Sequence, residues 1–191
     1  MRADAVRKRE QIVVAAAGEL ADLAAAARDG EAPKLSLDKV AARAGVGVAT
    51  LYRHFPTREA LLEAVYRTEL DRLCDAAPGL AADHAPDEAL RAWMHRYLDW
   101  VDSKRVMGLD LRNMVASGAI RQVETRRRLA EAIQHFLDAG TGVLRDDVPA
   151  DDVVAAMAGA VLTAAPDQQR EQTERLLDLL IAGLRHHPNP P

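Results

Sequence analysis

The 191-residue sequence is poor in cysteine, in aromatic residues and in long apolar runs, and each shortage excludes a class of protein. Its single cysteine, Cys74, cannot form an intramolecular disulfide, which is typical of a protein from a reducing compartment. No stretch reaches the roughly 20 apolar residues that a membrane-spanning helix needs. The N-terminus lacks the apolar segment and cleavage site of a secretory signal. We therefore expect a cytoplasmic protein that does not use a membrane.

Motifs of the common enzyme classes are also missing. The sequence contains no Walker loop, no Rossmann glycine fingerprint, no H-E-x-x-H and no G-x-S-x-G. Glu131, His135 and Asp138 lie on adjacent turns of one predicted helix, but no matching ligand set accompanies them, as a metal site would require. We predict no catalytic residues, no cofactor and no metal, and keep a metal-dependent helical enzyme only as a distant alternative.

The sequence is rich in alanine and in apolar residues at helical spacing. Hydrophobic residues make up 49% of the chain, and neither long β-branched alternations nor hairpin signals interrupt the pattern. These features predict an all-α protein. Outside the motif described next, we predict helices over residues 6–26, 58–75, 87–103, 106–116, 119–139, 150–164 and 167–185, with a loop over residues 78–86.

A helix-turn-helix motif is predicted between Ser36 and Arg58. Ser36 suits a helix N-cap, and Gly45 suits the left-handed position that follows a helix C-terminus. A second helix is predicted from Val48 to His54, before Pro56 ends it. Apolar residues on the two short helices are spaced to pack against each other, as in the motif whose second helix enters the DNA major groove.

The run GVGVATLYRHFPTREALLEAVY resembles the DNA-binding domain of the TetR family of transcriptional regulators. The resembling motif covers Ser36 to Tyr66, whereas the rest of the chain is similar to the family only in length and helical character. The resemblance implies an N-terminal three-helix domain over residues 1–56 and a helical ligand-binding and dimerisation domain over residues 57–185. We expect residues 186–191 to form a disordered tail.

The net charge is divided unevenly along the chain. Residues 1–58 contain ten Lys and Arg against seven Asp and Glu, a net +3, whereas residues 59–191 contain 15 against 22, a net −7. The basic excess accompanies the helix-turn-helix, as phosphate binding requires. Arg7, Lys8 and Arg9 extend this excess to the first helix, where they either meet a phosphate strand or simply face solvent.

The predicted DNA contacts are Ser36 and the outer face of the second short helix, together with Arg58. Threonine and tyrosine hydroxyls suit phosphate oxygens, small apolar side chains suit thymine methyl groups, and an arginine suits a guanine edge. His54 either donates to a phosphate or caps the end of its helix. Gly47 replaces the capping residue that is common in the family. The predicted set is Ser36, Val48, Ala49, Thr50, Tyr52, Arg53, His54 and Arg58, of which Arg58 is assigned a phosphate by the resemblance.

The remaining helices are predicted to bind a small molecule and to form a homodimer. Aromatic residues and methionines cluster over residues 93–114, where they either line a pocket for an apolar or aromatic effector or form ordinary core. The last two helices combine small residues with a broad leucine surface, which suits either a four-helix dimer interface or packing within one chain. The resemblance and the need for two half-sites favour the dimer. The predicted ligand contacts are Trp93, Met94, Tyr97, Trp100, Met107, Met114, Phe136 and Met157.

These features predict a ligand-responsive transcriptional regulator, a repressor that binds a palindromic double-stranded DNA operator as a homodimer. The rival interpretation is a small-molecule-binding or interaction protein whose helix-turn-helix no longer reads a specific operator. Loss of operator binding on substitution of Arg53 and Tyr52, with ligand binding retained, separates the two.

Overall fold

A computed structural model describes residues 2–26, 34–165 and 169–186 of the chain, and within those ranges the secondary structure is α-helical, with nine helices. The predicted all-α class is therefore confirmed. The helices are α1 Arg2–Ala26, α2 Leu37–Arg43, α3 Val48–His54, α4 Arg58–Asp75, α5 Ala77–Asp83, α6 Pro86–Ala116, α7 Gln122–Ala139, α8 Ala150–Thr163 and α9 Gln169–Leu184.

Two predictions about the middle of the chain were wrong. Residues 78–83 belong to α5 rather than to a loop, because Pro78 lies in the first turn, where a helix does not need the missing backbone N–H. The break between the two helices predicted over residues 87–103 and 106–116 was placed too early, because α6 is continuous through residues 104 and 105. The interruption in α6 comes at Gly108, whose φ of 47° and ψ of −114° are non-helical.

The ends of several helices also differ from the predictions. Helix α1 begins at Arg2 rather than Val6, and α7 begins at Gln122 rather than residue 119, after a turn in which Gly118 has a φ of 78°. Such shifts are expected, because helix ends depend on capping contacts that a periodic pattern does not contain. The predicted start of the last helix, residue 167, and the predicted tail from residue 187 onward lie outside the described residues.

The chain divides into two compact units that do not follow the order of the sequence. The first comprises residues 1–71 and 99–121, and the second comprises residues 72–98 and 122–191. Helices α4 and α6 therefore each contribute residues to both units. The predicted domain boundary between residues 56 and 57 remains a proposal.

Each unit has its own apolar core. In the first unit the largest fully buried side chains come from α1, from α3 and the residue after it, and from α4; they are Ile12, Leu20, Leu51, Phe55, Leu61 and Leu62. In the second unit they come from α6, α7 and the turn after α7 and include Leu90, Trp93, Met94, Ile133, Phe136 and Leu144. None of the helices in the described ranges is both long enough and apolar enough to cross a membrane.

Candidate nucleic-acid interface

The turn between α2 and α3 is built by Gly45. Ser36 caps α2, since its Oγ accepts a hydrogen bond from the Lys39 backbone N–H at 3.4 Å. At the other end of α2, the Gly45 N–H donates to the Ala42 carbonyl and the Val46 N–H donates to the Ala41 carbonyl, at 3.1 and 3.0 Å. This pair of bonds defines a Schellman motif, and the φ of 65° at Gly45 is the left-handed value that it requires. The predicted cap and turn glycine are therefore confirmed.

Helix α3 starts without a side-chain cap. Gly47 occupies the N-cap in an extended conformation, and its carbonyl accepts hydrogen bonds from Thr50 and Leu51 at 2.8 and 3.1 Å. Leu51 and Phe55 are 0% and 1% exposed and fix the inner face of α3 in the core of the first unit. The Arg9 guanidinium carbon lies 4.7 Å from the centre of the Phe55 ring, so a cation–π contact joins α1 to the end of α3.

The outer face of α3 is open to solvent. Tyr52 is 47% exposed and Val48 is 38% exposed, while Ala49 and Arg53 are exposed and Thr50 and His54 are half-buried. The structure thus brings six of the eight predicted DNA contacts together on one helix, with Ser36 at the start of α2. Their contact with DNA remains a prediction.

Electrostatic pairing separates the cations of α2 from those of α3. On α2, Arg43 forms an ion pair with Asp22 of α1, and Lys39 lies 3.7 Å from Glu19. The Arg43 guanidinium also packs so closely over Gly18 that a Cβ atom built there would lie 2.6 Å from it. By contrast, Arg53 forms no ion pair with any described residue. The free positive charge of the motif therefore lies on α3.

The basic cluster at residues 7–9 does not act as a unit. Arg7 and Lys8 both pair with Asp4, at 2.8 and 2.9 Å, and these two contacts lower the pKa of the Asp4 carboxyl. Arg9 instead lies over Phe55. The three cations are thus engaged by residues of their own unit.

Arg58 faces the protein interior rather than solvent. Its Nε donates to Asp110 Oδ2 at 2.9 Å, and a terminal guanidinium nitrogen donates to the Leu35 carbonyl, directly before Ser36. The Arg58 and Asp110 side chains are each 26% exposed. Arg58 therefore ties the segment after the Gly108 interruption in α6 to the residue that precedes α2. Sequence analysis assigned Arg58 a phosphate, and the geometry favours an internal role instead.

Five of the predicted ligand contacts lie in the second unit, where Trp93 is central. The Trp93 indole N–H donates to the Leu73 carbonyl at 2.8 Å, and its ring stacks on Tyr97 with a centroid separation of 6.4 Å. Phe136 lies 5.9 Å from Trp93 in a tilted arrangement. Met94 and Met157, like these rings, are buried, each with 1% exposure. Aromatic residues of an ordinary core are expected to be buried in this way, with the indole N–H bonded to a nearby carbonyl. A role of these residues in ligand binding remains a proposal.

The other three predicted ligand contacts, Trp100, Met107 and Met114, lie in the first unit and are also buried. Trp100 lies 5.6 Å from Tyr66 of α4. One turn further along α6, the Lys104 amine sits 3.1 Å from the centre of the Trp100 ring and 5.8 Å from that of Tyr66. Burial lowers the pKa of Lys104 from 10.5 to about 7. The predicted set is therefore divided between the two units.

Lys104, Asp110 and the role of Arg9 were not predicted from the sequence. The four-residue spacing of Trp100 and Lys104 places both on one helix face, and this spacing could have identified Lys104. Asp110 is 52 residues from its partner, so no local pattern identifies it. The Glu131 cluster forms no site in the structure: Glu131 pairs with Arg127, and no group of three or more His, Cys, Asp or Glu among the described residues is arranged to hold a metal ion.

Comparisons with known proteins agree with this geometry. Residues 32–65 match the family model described as bacterial regulatory proteins, tetR family, and residues 85–186 match that of the C-terminal domain of SbtR-like transcriptional regulators. No curated protein sequence gives a significant match.

Solved structures extend the likeness over nearly the whole chain. The TetR transcriptional regulator SCO0520 from Streptomyces coelicolor is 43% identical, with 94% of this chain and 99% of that chain covered and a TM-score of 0.76. A TetR transcription regulatory protein from Mycobacterium vanbaalenii is 27% identical, with coverages of 97% and 99% and a TM-score of 0.69. SmeT, the repressor of the Stenotrophomonas maltophilia multidrug efflux pump SmeDEF, shares the fold at 18% identity, coverages of 96% and 96% and a TM-score of 0.58. The helix-turn-helix is present, and the C-terminal family model matches more than half of the whole chain. The chain therefore belongs to the tetR family of DNA-binding transcriptional regulators.

Proposed function

We propose that this protein is a repressor that binds a palindromic operator as a homodimer and leaves it when a small apolar or aromatic effector binds. The observation that carries the proposal is the state of α3. Its inner face is fixed by Leu51 and Phe55, while its outer face presents Arg53 without an ion pair among the described residues. A rigid helix with an uncompensated guanidinium suits insertion into the major groove.

The side chains on α3 suit different parts of the operator. Arg53 is the one residue of the set that can read a guanine edge with two hydrogen bonds. Tyr52 and Thr50 suit phosphates and position the helix without reading sequence. Val48 and Ala49 offer only methyl contacts, so the remaining specificity comes from thymine methyl groups and from DNA shape. His54, half-buried at the end of α3, suits a phosphate.

A homodimer through α8 and α9 is supported by apolar side chains that the single chain leaves uncovered. Leu162 of α8 is 82% exposed and Leu179 of α9 is 69% exposed. Exposed alanines on α8, including Ala155 and Ala156, would let a second copy approach closely. In a two-fold dimer, recognition helices about 34–36 Å apart would meet successive major grooves on one face of the duplex.

Release by an effector requires a ligand that prefers the conformation that cannot bind the operator. The shift that a ligand produces is limited by its differential affinity for the two conformations. Helix α4 is suited to carry the change, because it starts directly after the helix-turn-helix and contributes residues to both units. The buried aromatic and methionine residues of each unit are separate candidates for the lining of the binding site.

Selection of genomic fragments by the purified protein tests the proposal. The recovered fragments should share an inverted repeat with half-sites about ten base pairs apart, centre to centre. On such an operator, Arg53→Ala should weaken binding by about 1–3 kcal/mol and relax the preference at one position of each half-site. Tyr52→Phe should weaken binding on all sequences alike, because it removes a phosphate contact.

Arg126→Ala is the matched control. Arg126 is an exposed arginine of the second unit, where it pairs with Asp151, so its replacement changes the net charge equally without touching α3. Operator affinity should be unchanged in this variant. Binding to a random duplex as tight as to the selected fragments, at physiological salt, would favour the rival interpretation of a ligand-binding or interaction protein.

A further inference from the structure

Lys104 is placed unusually for a lysine. Its side chain is half-buried, its amine lies against Trp100 and Tyr66, and both rings are only 6% exposed. Lysine is rarely removed from water without a carboxylate partner, because the desolvation of the ammonium group is costly. In the part of the chain that the structure describes, no carboxylate lies within 4 Å of this amine.

Several charged groups near Tyr66 and Lys104 in sequence already have a partner on their own helix. On α4, Glu63 binds Arg67 at 2.6 Å, and on α6, Asp102 lies 3.5 Å from Arg105. Burial is accordingly the sole cause of the lowered pKa of Lys104, with no contribution from a charged neighbour. The cation–π attraction of Trp100 compensates only part of the cost of burial. The amine is therefore a site that a counter-anion would stabilise.

We propose that Lys104 receives the anionic group of the effector, which is a monocarboxylic acid with an apolar body. The acid group would form an ion pair with the ammonium, and its apolar part would insert beside Trp100 and Met107, which are 6% and 3% exposed and would have to shift to admit it. This inference rests on the proposed function, since it names the chemical class of the effector.

Lys104 lies where binding of an acid can affect the helix-turn-helix. Lys104 lies one turn before the interruption at Gly108, and Tyr66, the other ring against it, belongs to α4. An acid that neutralises Lys104 thus acts on the contact between α4 and α6, two helices that Arg58 and Asp110 also join. The ligand and the helix-turn-helix are coupled within one compact unit.

Calorimetric titration with matched acids and amides tests the proposal. Phenylacetate and octanoate are compared with phenylacetamide and octanamide, which keep the apolar body and remove the charge. The acids should bind the wild-type protein at least about ten-fold more tightly than the amides at pH 6, because a desolvated cation gains most from an opposite charge. Lys104→Met should abolish this preference, whereas Lys8→Met, which removes one exposed lysine from α1, should preserve it.

The pH dependence gives a second signature. Because the acid binds the ammonium form, Lys104 must take up a proton from solvent when binding occurs above its pKa of about 7, so acid affinity should fall by up to about fifteen-fold between pH 7 and pH 8.5. Amide affinity should not change. Acids that do not bind, or that bind no more tightly than the amides at pH 6, would overturn the proposal.

Amine labelling of the wild-type protein covers the case in which Lys104→Met does not fold. At pH 7, sulfosuccinimidyl acetate should acetylate Lys104 faster than Lys8, because a larger fraction of the Lys104 amine is uncharged, and phenylacetate but not phenylacetamide should protect it. Equal rates without protection would contradict the inference. Operator binding measured in parallel separates the two proposals: operator binding without acid preference refutes the effector class alone, and acid preference without operator binding refutes the repressor alone.

Discussion

The internal position of Arg58 leads to a prediction that separates two roles for one side chain. A phosphate-binding arginine can be removed with little effect on folding but with a clear effect on DNA affinity. An internal arginine behaves in the opposite way. The structure favours the internal role, because the guanidinium donates to both Asp110 and the Leu35 carbonyl.

The size of the effect follows from these two hydrogen bonds. Hydrogen bonds that involve a charged group contribute about 1.5–3 kcal/mol each, and the 26% exposure of both side chains lowers this value through solvent screening. Arg58→Met should therefore lower the free energy of unfolding by about 2–3 kcal/mol. Asp110→Asn should cost about 1–2 kcal/mol, because it keeps the Leu35 contact. The double variant should show a coupling of about 1 kcal/mol between the two positions.

Two measurements on the same variants decide between the roles. Urea denaturation reports stability, and fluorescence anisotropy of a labelled operator from 50 to 300 mM salt reports the number of phosphate contacts. Arg58→Met should leave the slope of log affinity against log salt unchanged, whereas loss of a phosphate contact lowers its magnitude by about 0.9 per contact. Arg53→Met is the control that should weaken operator binding without lowering stability, since Arg53 is exposed on α3 and forms no ion pair with any described residue. Unchanged stability together with a smaller salt slope in Arg58→Met would refute the internal role.

Two further predictions concern the acidity of Lys104 and the dimer. Because the pKa of Lys104 is about 7 in the folded chain against 10.5 for a free lysine, the unfolded chain holds a proton that the folded chain lacks between these values. The free energy of unfolding should thus rise from pH 7 to pH 10 by up to about 1.4 kcal/mol per pH unit. Urea titrations of Lys104→Met should show a smaller rise. The same dependence on pH in this variant and the wild-type protein would contradict a lowered pKa of Lys104. Combined Leu162→Glu and Leu179→Glu substitutions should give monomers in sedimentation velocity, whereas Val123→Glu, at a site that is 78% exposed on α7, should not; persistent dimers would place the interface elsewhere.

The helix-turn-helix could be predicted from sequence because its signals are local. Ser36, Gly45 and Pro56 mark helix ends by backbone chemistry that involves only neighbouring residues, and the predicted limits of α3 and α4 agree with the structure. Local signals also misled. Pro78 is compatible with the first turn of a helix, and the break predicted between residues 103 and 106 lies before the one at Gly108. The interruption lies at Gly108, and an isolated glycine within a helical pattern was its one local signal.

The contacts that organise the first unit could not be predicted, because they join residues far apart in sequence. Arg58 and Asp110 are 52 positions apart, and Arg43 meets Asp22 from another helix. In the sequence alone, each of these charged residues looks like an ordinary surface residue. Their pairing decides which cations remain available to DNA. The location of the interface could therefore be predicted from the sequence, whereas the choice of its unpaired cations could not.

The interruption at Gly108 gives α6 a weak point in its backbone. A helix transmits bending and twisting through its continuous ladder of hydrogen bonds, and a residue with a φ of 47° and a ψ of −114° breaks that ladder. Amide hydrogens in the turn after Gly108 should exchange with solvent sooner than those around Trp100, because they open without unfolding the rest of α6. The segment after the break is held to α4 by side chains, with Asp110 bound to Arg58 and the Ala119 carbonyl bound to Arg67. The orientation of this segment therefore depends on its side-chain contacts, which include the burial of Met114 and Ile120, more than on a continuous helix.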